Sequence, residues 1–459
     1  MERRNAWKSY DEAQLAALEQ FSKEYRAFLD AGKTERECVQ ECVRIAEEHG
    51  FSNMLELAAA GEQPAPGARL YANWMGKVFM MFVLGTEPLE DGMNILGAHI
   101  DSPRIDVKQN PLYEDSDLAY LDTHYYGGIK KYQWVAQPLS LHGVIVKKDG
   151  AIVDVCIGEN EDDPVFCISD LLPHLAQDQM KKDAAKIIEG EDLNLIIAGR
   201  PLEGEDKEGV KANVLKLLQE AYGVEEEDFL SAELEIVPAG KARDMGLDRS
   251  MILAYGHDDR VCAYPSMRAV QDFEGTPERT LCAVLTDKEE IGSVGATGMD
   301  SMFFENIVAE VYALTETYSE IGLRRCLRSS RMLSSDVSAG FDPLYAGAFE
   351  KKNAAFLGRG LCFNKYTGAR GKSSSSDANA EYVAEIRRNM DGADVAWQTA
   401  ELGRVDLGGG GTIAFTCAKY GMNVIDAGVA VLSMHAPYEV ISKADLYEAY
   451  KGYCAFLKA

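Results

Sequence analysis

One stretch constrains the fold of this chain more than any other: Leu281-Cys-Ala-Val-Leu-Thr-Asp-Lys-Glu289-Glu290-Ile-Gly292-Ser-Val-Gly295-Ala296. Its first five residues are apolar and β-prone, which reads as a buried strand. The run then meets two adjacent carboxylates, Glu289 and Glu290, and the glycines at 292 and 295 let the backbone turn away. A buried strand that delivers acids to its carboxyl end belongs to an open α/β sheet, where ligands bind beyond the strand ends. Adjacent glutamates point in different directions, so one suits a metal and its neighbour suits proton transfer. Glu-Glu pairs also occur on solvated helix faces, and the choice turns on whether other strands bring metal ligands to the same edge.

They do. The apolar run 93–98 ends on His99, and Asp101 stands two residues later, placed to accept the second ring proton as partners of metal-bound histidines do. The run 251–255 leads into Gly256-His257-Asp258-Asp259-Arg260, where spacing does not separate the two aspartates. Ser334-Ser335-Asp336 falls in a polar break after the basic segment 324–331, where Asp336 suits a ligand or a helix cap. The last apolar run, 423–433, ends in Met434-His435. Two histidines and three carboxylates suit two divalent ions that share one carboxylate. The chemistry expected is metal-assisted hydrolysis, with ions about 3.5–4 Å apart and a spare glutamate moving the proton to the departing amine.

The rest of the chain fits around this edge. Apolar spacing predicts a helix over 10–29, and Thr34 with Glu37 forms a capping box for a second. Residues 75–84 read as a strand. From 105 to 245 the texture changes to short alternating runs, at 139–146, 151–157, 194–198 and 233–237, broken by one helical piece at 211–222. The expected architecture is therefore α/β. A mixed sheet flanked by helices spans 1–104 and 246–459, and a β-rich domain is inserted at 105–245. At 459 residues the chain has room for both. The glycine-rich loop 405–412 leads into a helix from 413 to 420, another helix covers 379–390, and Ser442 with Asp445 begins the terminal one.

Composition narrows the function. A formal charge of -27 argues against a nucleic-acid partner, which requires a basic face. The ten cysteines are scattered without a Cys-x-x-Cys, as expected of buried apolar side chains in a reducing compartment. No apolar run reaches the roughly 18 residues of a membrane helix, and the first residues lack an apolar signal region, so a cytoplasmic protein is expected.

Taken together, His99-Ile-Asp101-Ser-Pro-Arg104, Asp258-Asp259-Arg260, Asp287-Lys-Glu289-Glu290-Ile-Gly-Ser, Ser335-Asp336, the 408–412 loop and Ser433-Met-His435 resemble the M18 family of zinc aminopeptidases in order and approximate spacing. The likeness spans nearly the whole chain and is greatest to the bacterial aminopeptidase 1 branch. It implies a zinc-exopeptidase-like fold and two zinc ions per subunit, with cobalt or manganese as substitutes. One ion would rest on His99 and Asp336 and the other on Glu290 and His435, with Asp259 bridging. Glu289 would be the general base and acid, and Asp101 would orient His99. It further implies a homo-oligomer, a hollow tetrahedral dodecamer acting on peptides. In such an assembly His174, in Leu172-Pro173-His174-Leu175, would reach a neighbouring subunit's site. The lysine that holds acidic side chains in aspartyl aminopeptidases corresponds to Lys365, with Arg370 and Lys372 as alternatives, so acidic and neutral first residues are both expected. Two other functions fit the same residues: a dinuclear deacetylase or carboxypeptidase of the wider exopeptidase fold, and a non-catalytic shell that binds cargo.

Overall fold

The computed structural model describes residues 3–368, 370 and 373–459. Lys372, one of the alternatives to Lys365, lies outside the described residues. Two compact units emerge, one of residues 1–102, 242–434 and 439–459, the other of 103–241 and 435–438.

The first unit is built on a nine-stranded mixed sheet. In spatial order its strands are Ser52–Asn53, Arg69–Trp74, Val78–Val83, Leu281–Thr286, Asn94–His99, Arg331–Ser334, Asn423–Gly428, Leu361–Asn364 and Trp397–Ala400. The four in the middle, from Leu281–Thr286 to Asn423–Gly428, run parallel, so their carboxyl ends share one edge. Side chains of a strand alternate between faces, and here both faces are buried. Met81, Ala283, Leu285, Leu96 and Ala98 enter one core with the helices Glu12–Ala31, Glu35–Glu48 and Lys443–Leu457. Met80, Phe82, Cys282, Val284 and Ile95 enter the other with Phe303–Thr315 and Glu320–Ser329. That two-sided burial explains why the 281–285 run is apolar without interruption.

Helix starts follow their local chemistry. The Thr34 side chain accepts from the Glu37 N–H while Glu37 reaches back to the Thr34 N–H, closing the box at the head of Glu35–Glu48. One strand expectation changes. Residues 75–84 are not one strand: Met75 and Gly76 form a turn with positive φ, and the Asn73 side chain accepts from the Gly76 N–H, so Arg69–Trp74 and Val78–Val83 are a hairpin. Asp336 lies in a short break, as expected, but the residues before it, Arg331–Ser334, are a central strand of the sheet and not part of that break. Ser442 accepts from the Ala444 N–H as cap, whereas Asp445 turns to the Gly358 and Gly360 N–H groups.

The second unit carries a six-stranded antiparallel sheet in the order Ile152–Ile157, Leu139–Val146, Ala232–Pro238, Arg104–Asp115, Leu118–Tyr126, Leu195–Ala198, with the helix Gly209–Tyr222 against it. Arg104–Asp115 and Leu118–Tyr126 are two strands beyond the expected runs; the first mixes charged residues and Pro111 with isolated apolar ones, and the second has a short apolar start, Leu118 to Leu121, followed by polar and aromatic residues. Among the described residues, no helix is long and apolar enough to cross a membrane.

Candidate metal centre

Parallel pairing aligns His99 with Thr286, so the histidine ends its strand where the neighbouring one runs on to Asp287 and the glutamate pair. One strand over, Ser334 pairs with Gly97, which puts Asp336 two residues farther along and level with His99. Sheet register alone therefore collects His99, Glu289, Glu290 and Asp336 at one edge.

Asp258 joins them from outside the main sheet. The short strand Met251–Ala254 leads through Gly256 into His257–Gln271, whose backbone is non-helical at Asp258 and Asp259. The Asp258 N–H donates to Glu439 Oε2 at 2.9 Å, and Ser102 Oγ donates to the Asp258 carbonyl at 2.7 Å. His257 is fixed behind them by Tyr25, whose hydroxyl lies 2.8 Å from Nδ1, and by the Ile252 carbonyl near Nε2. So held, Asp258 places Oδ1 3.2 Å from His99 Nε2. Asp259 turns the other way: its Oδ2 accepts from the backbone N–H of His99 at 3.3 Å. Of the two aspartates that spacing left unresolved, it is Asp258 whose carboxylate meets the other ligand candidates.

Ligand atoms of His99, Glu289 and Glu290 lie within 4.8 Å of one another, and so do those of His99, Asp258 and Asp336. Asp101, fully buried, serves both. Its backbone and carboxylate oxygens lie 3.0 and 3.3 Å from His99 Nδ1, and its two carboxylate oxygens accept the N–H groups of Glu289 and Glu290 at 3.1 and 3.2 Å. Thus one aspartate orients the histidine and anchors the glutamate loop. His435, in positive φ, receives its orientation from Gly128, whose carbonyl lies 3.0 Å from Nδ1, so Nε2 carries the lone pair.

Electrostatics say what such a cluster wants. Burial pushes the Asp336 carboxyl well above the ordinary carboxylate range, and the charges of Glu289 and Asp259 push it further. Asp259 is likewise raised by burial, with His99 pulling the other way. Burial opposes a charged His99 ring, yet hydrogen bonds to Asp101 and Asp258 outweigh it and hold the proton on well above the usual imidazole range. Crowded buried acids thus draw positive charge from the one available ring. Divalent cations supply that charge instead and require the ring neutral. An imidazole and carboxylate donor set is one that zinc accepts.

The family profile described as "Aminopeptidase I zinc metalloprotease (M18)" matches residues 28–457. The chain belongs to the M18 family. A probable M18 family aminopeptidase 1 from Clostridium acetobutylicum is 58% identical over 457 residues, covering 99% of this chain and 98% of that one. The crystal structure of an M18 aminopeptidase from Thermotoga maritima superposes with a TM-score of 0.94 at 45% identity, covering 100% of this chain and 99% of that one. The mApe1 dodecamer of S. cerevisiae shares the fold, with a TM-score of 0.75 at 19% identity over 95% of this chain and 96% of that one. This M18 chain is a metalloaminopeptidase, a hydrolase of the zinc metalloprotease class.

Lys365 and His174 each have their own surroundings. Lys365 follows Leu361–Asn364, which is antiparallel to Asn423–Gly428 with Asn364 opposite Asp426, so the chain leaves toward the opposite end of the parallel strands. Its ammonium packs on Tyr366, 3.2 Å from the hydroxyl. His174 is exposed in the second unit beside exposed Leu171, Leu172 and Leu175. The supporting roles of Glu439, Ser102 and Tyr25 were not legible in the sequence, since each acts across more than 150 residues.

Proposed function

We propose that this aminopeptidase removes N-terminal residues from peptides with two zinc ions per subunit, and that Asp258 rather than Asp259 is the shared carboxylate. His99 and Asp336 would hold one ion, Glu290 and His435 the other. The observation that carries this reading is the convergence of His99, Asp258, Glu289, Glu290 and Asp336 at the carboxyl edge of the parallel strands. When bound, the two ions supply a nucleophile at neutral pH and polarise the scissile carbonyl. The chain's own residues do the rest. Glu289, half-buried with Oε2 3.9 Å from His99 Nε2, takes the proton from the attacking water and gives it to the departing amine. Asp101 keeps the His99 ring in the ligating orientation and fixes the backbone under Glu289.

The remaining parts of the reading concern the assembly. The second unit serves oligomerisation, His174 completes the site of a neighbouring subunit, and the particle is a dodecamer in the cytoplasm. The dodecameric state of the yeast relative and the exposed leucines around His174 support this. Cobalt and manganese would substitute for zinc.

The test is Glu289→Gln, assayed on aspartyl, glutamyl, leucyl and lysyl p-nitroanilides. Zinc content should be unchanged, with kcat reduced by at least about a hundredfold, as expected for loss of a general base. Near-normal turnover in that variant would remove Glu289 from the mechanism.

A further inference from the structure

The loop that carries Glu289 is exposed at its tip, where Ile291 and Val294 are 49% and 67% accessible, so something must hold its base in place. On one side Asp101 takes the Glu289 and Glu290 N–H groups. On the other side stands a second carboxylate, whose hydrogen bonds go to Lys288 and Thr297. Asp287 is fully buried at the strand end. Its Oδ1 accepts the Lys288 N–H at 2.8 Å, and its Oδ2 accepts the Thr297 hydroxyl at 2.6 Å and the Lys288 ammonium at 2.9 Å. The backbones of Asp287 and Thr297 also meet, with Asp287 bridged to Gly298.

We propose that Asp287 and Thr297 form a latch that positions Glu289 for proton transfer. Rotation about the Lys288 backbone is the freedom the latch removes. Lys288 lies in the left-handed region with φ 67°, a conformation uncommon for a residue with a side chain. Three contacts hold it there: the Asp287 oxygen on its N–H, the ion pair on its ammonium, and a side chain laid against Gly295. A Cβ at Gly295 would stand 3.0 Å from Lys288 Cδ, on backbone with φ 118°. From this fixed residue the chain makes one tight turn, with the Lys288 carbonyl accepting the Ser293 N–H at 2.7 Å and the Glu289 carbonyl accepting the Gly292 N–H at 2.9 Å. Glu289 is the first residue of that turn. Asp287 and Thr297 are thus positioning residues that act through Glu289, and the latch rests on the reading of Glu289 as proton carrier.

Thr297→Val removes the hydroxyl but keeps the shape. In the zinc-loaded enzyme it should lower kcat about tenfold or more, the scale on which small misplacements of a reacting group act. KM, zinc content and melting temperature should stay close to the parent's, and Thr297→Ser should restore kcat. Asp287→Asn, which keeps an acceptor for the Lys288 N–H, should behave like Thr297→Val. In a Glu289→Asp background, where the carboxylate is already displaced, Thr297→Val should cost much less than in the parent. An unchanged kcat in both Thr297→Val and Asp287→Asn would overturn the latch. So would an equal loss in both Glu289 backgrounds, or a loss explained by missing zinc. An active Glu289→Gln would instead overturn the proton-carrier reading itself, so the two failures are told apart.

Discussion

Replacing Asp258 and Asp259 one at a time by asparagine separates two neighbours whose side chains face opposite ways. At about 4 Å and an effective dielectric of about 20, one pair of unit charges is worth about 4 kcal/mol, so one charge against a divalent ion is worth about 8 kcal/mol. Asparagine keeps a neutral oxygen at the site, which leaves a loss of about 4–8 kcal/mol for Asp258→Asn, or three to six decades in affinity. Asp259→Asn keeps an oxygen to accept the His99 N–H, the contact now 3.3 Å long. Partners that only support a ligand cost about 10–100-fold in metal affinity. The assay is zinc retained per chain against a graded chelator series, read by mass spectrometry on the purified protein. Asp258→Asn should release zinc at chelator strengths the parent resists, and Asp259→Asn should shift only modestly. The reverse order would refute the geometry that puts Asp258 Oδ1 3.2 Å from His99 Nε2.

Two further outcomes follow from the same arrangement. His435→Ala should bring bound zinc from two ions per chain toward one and take peptidase activity with it. Two ions still held tightly by that variant would break the proposed ligand set. Lys365→Ala should change the ratio of aspartyl to leucyl p-nitroanilide hydrolysis little, because Lys365 follows a strand antiparallel to those bearing the ligands. A selective collapse of aspartyl turnover would restore the acid-binding role.

Sequence pattern reached as far as it did because the strands at the centre are buried on both faces, which forces uninterrupted apolar runs at 281–285 and 93–98. Where a central strand is short, that signal fails. Arg331–Ser334 has only Met332 and Leu333 as apolar residues. Its ends are polar because Arg331 bonds Asn94 and Ser334 bonds Asp426, so the strand that delivers Asp336 reads as a break. The hairpin at Met75 and Gly76 carries its own marks, since Gly76 takes the positive φ and its N–H is accepted by the Asn73 side chain, but the apolar run that follows draws the eye past them. The two adjacent aspartates show a different limit. Propensity, spacing and polarity are the same for Asp258 and Asp259. Their orientations are set by Ser102 and Glu439, which lie 156 and 181 residues away in the chain, and by the His99 backbone, 160 residues away. Glu289 and Glu290 are alike in this respect, since Asp101 holds both N–H groups from 188 and 189 residues away. Residue types can thus be read locally, but which of two identical neighbours meets a metal is a property of the assembled sheet edge. Substitutions at Ser102, Glu439 or Asp101 therefore act on the site as surely as substitutions of the ligands.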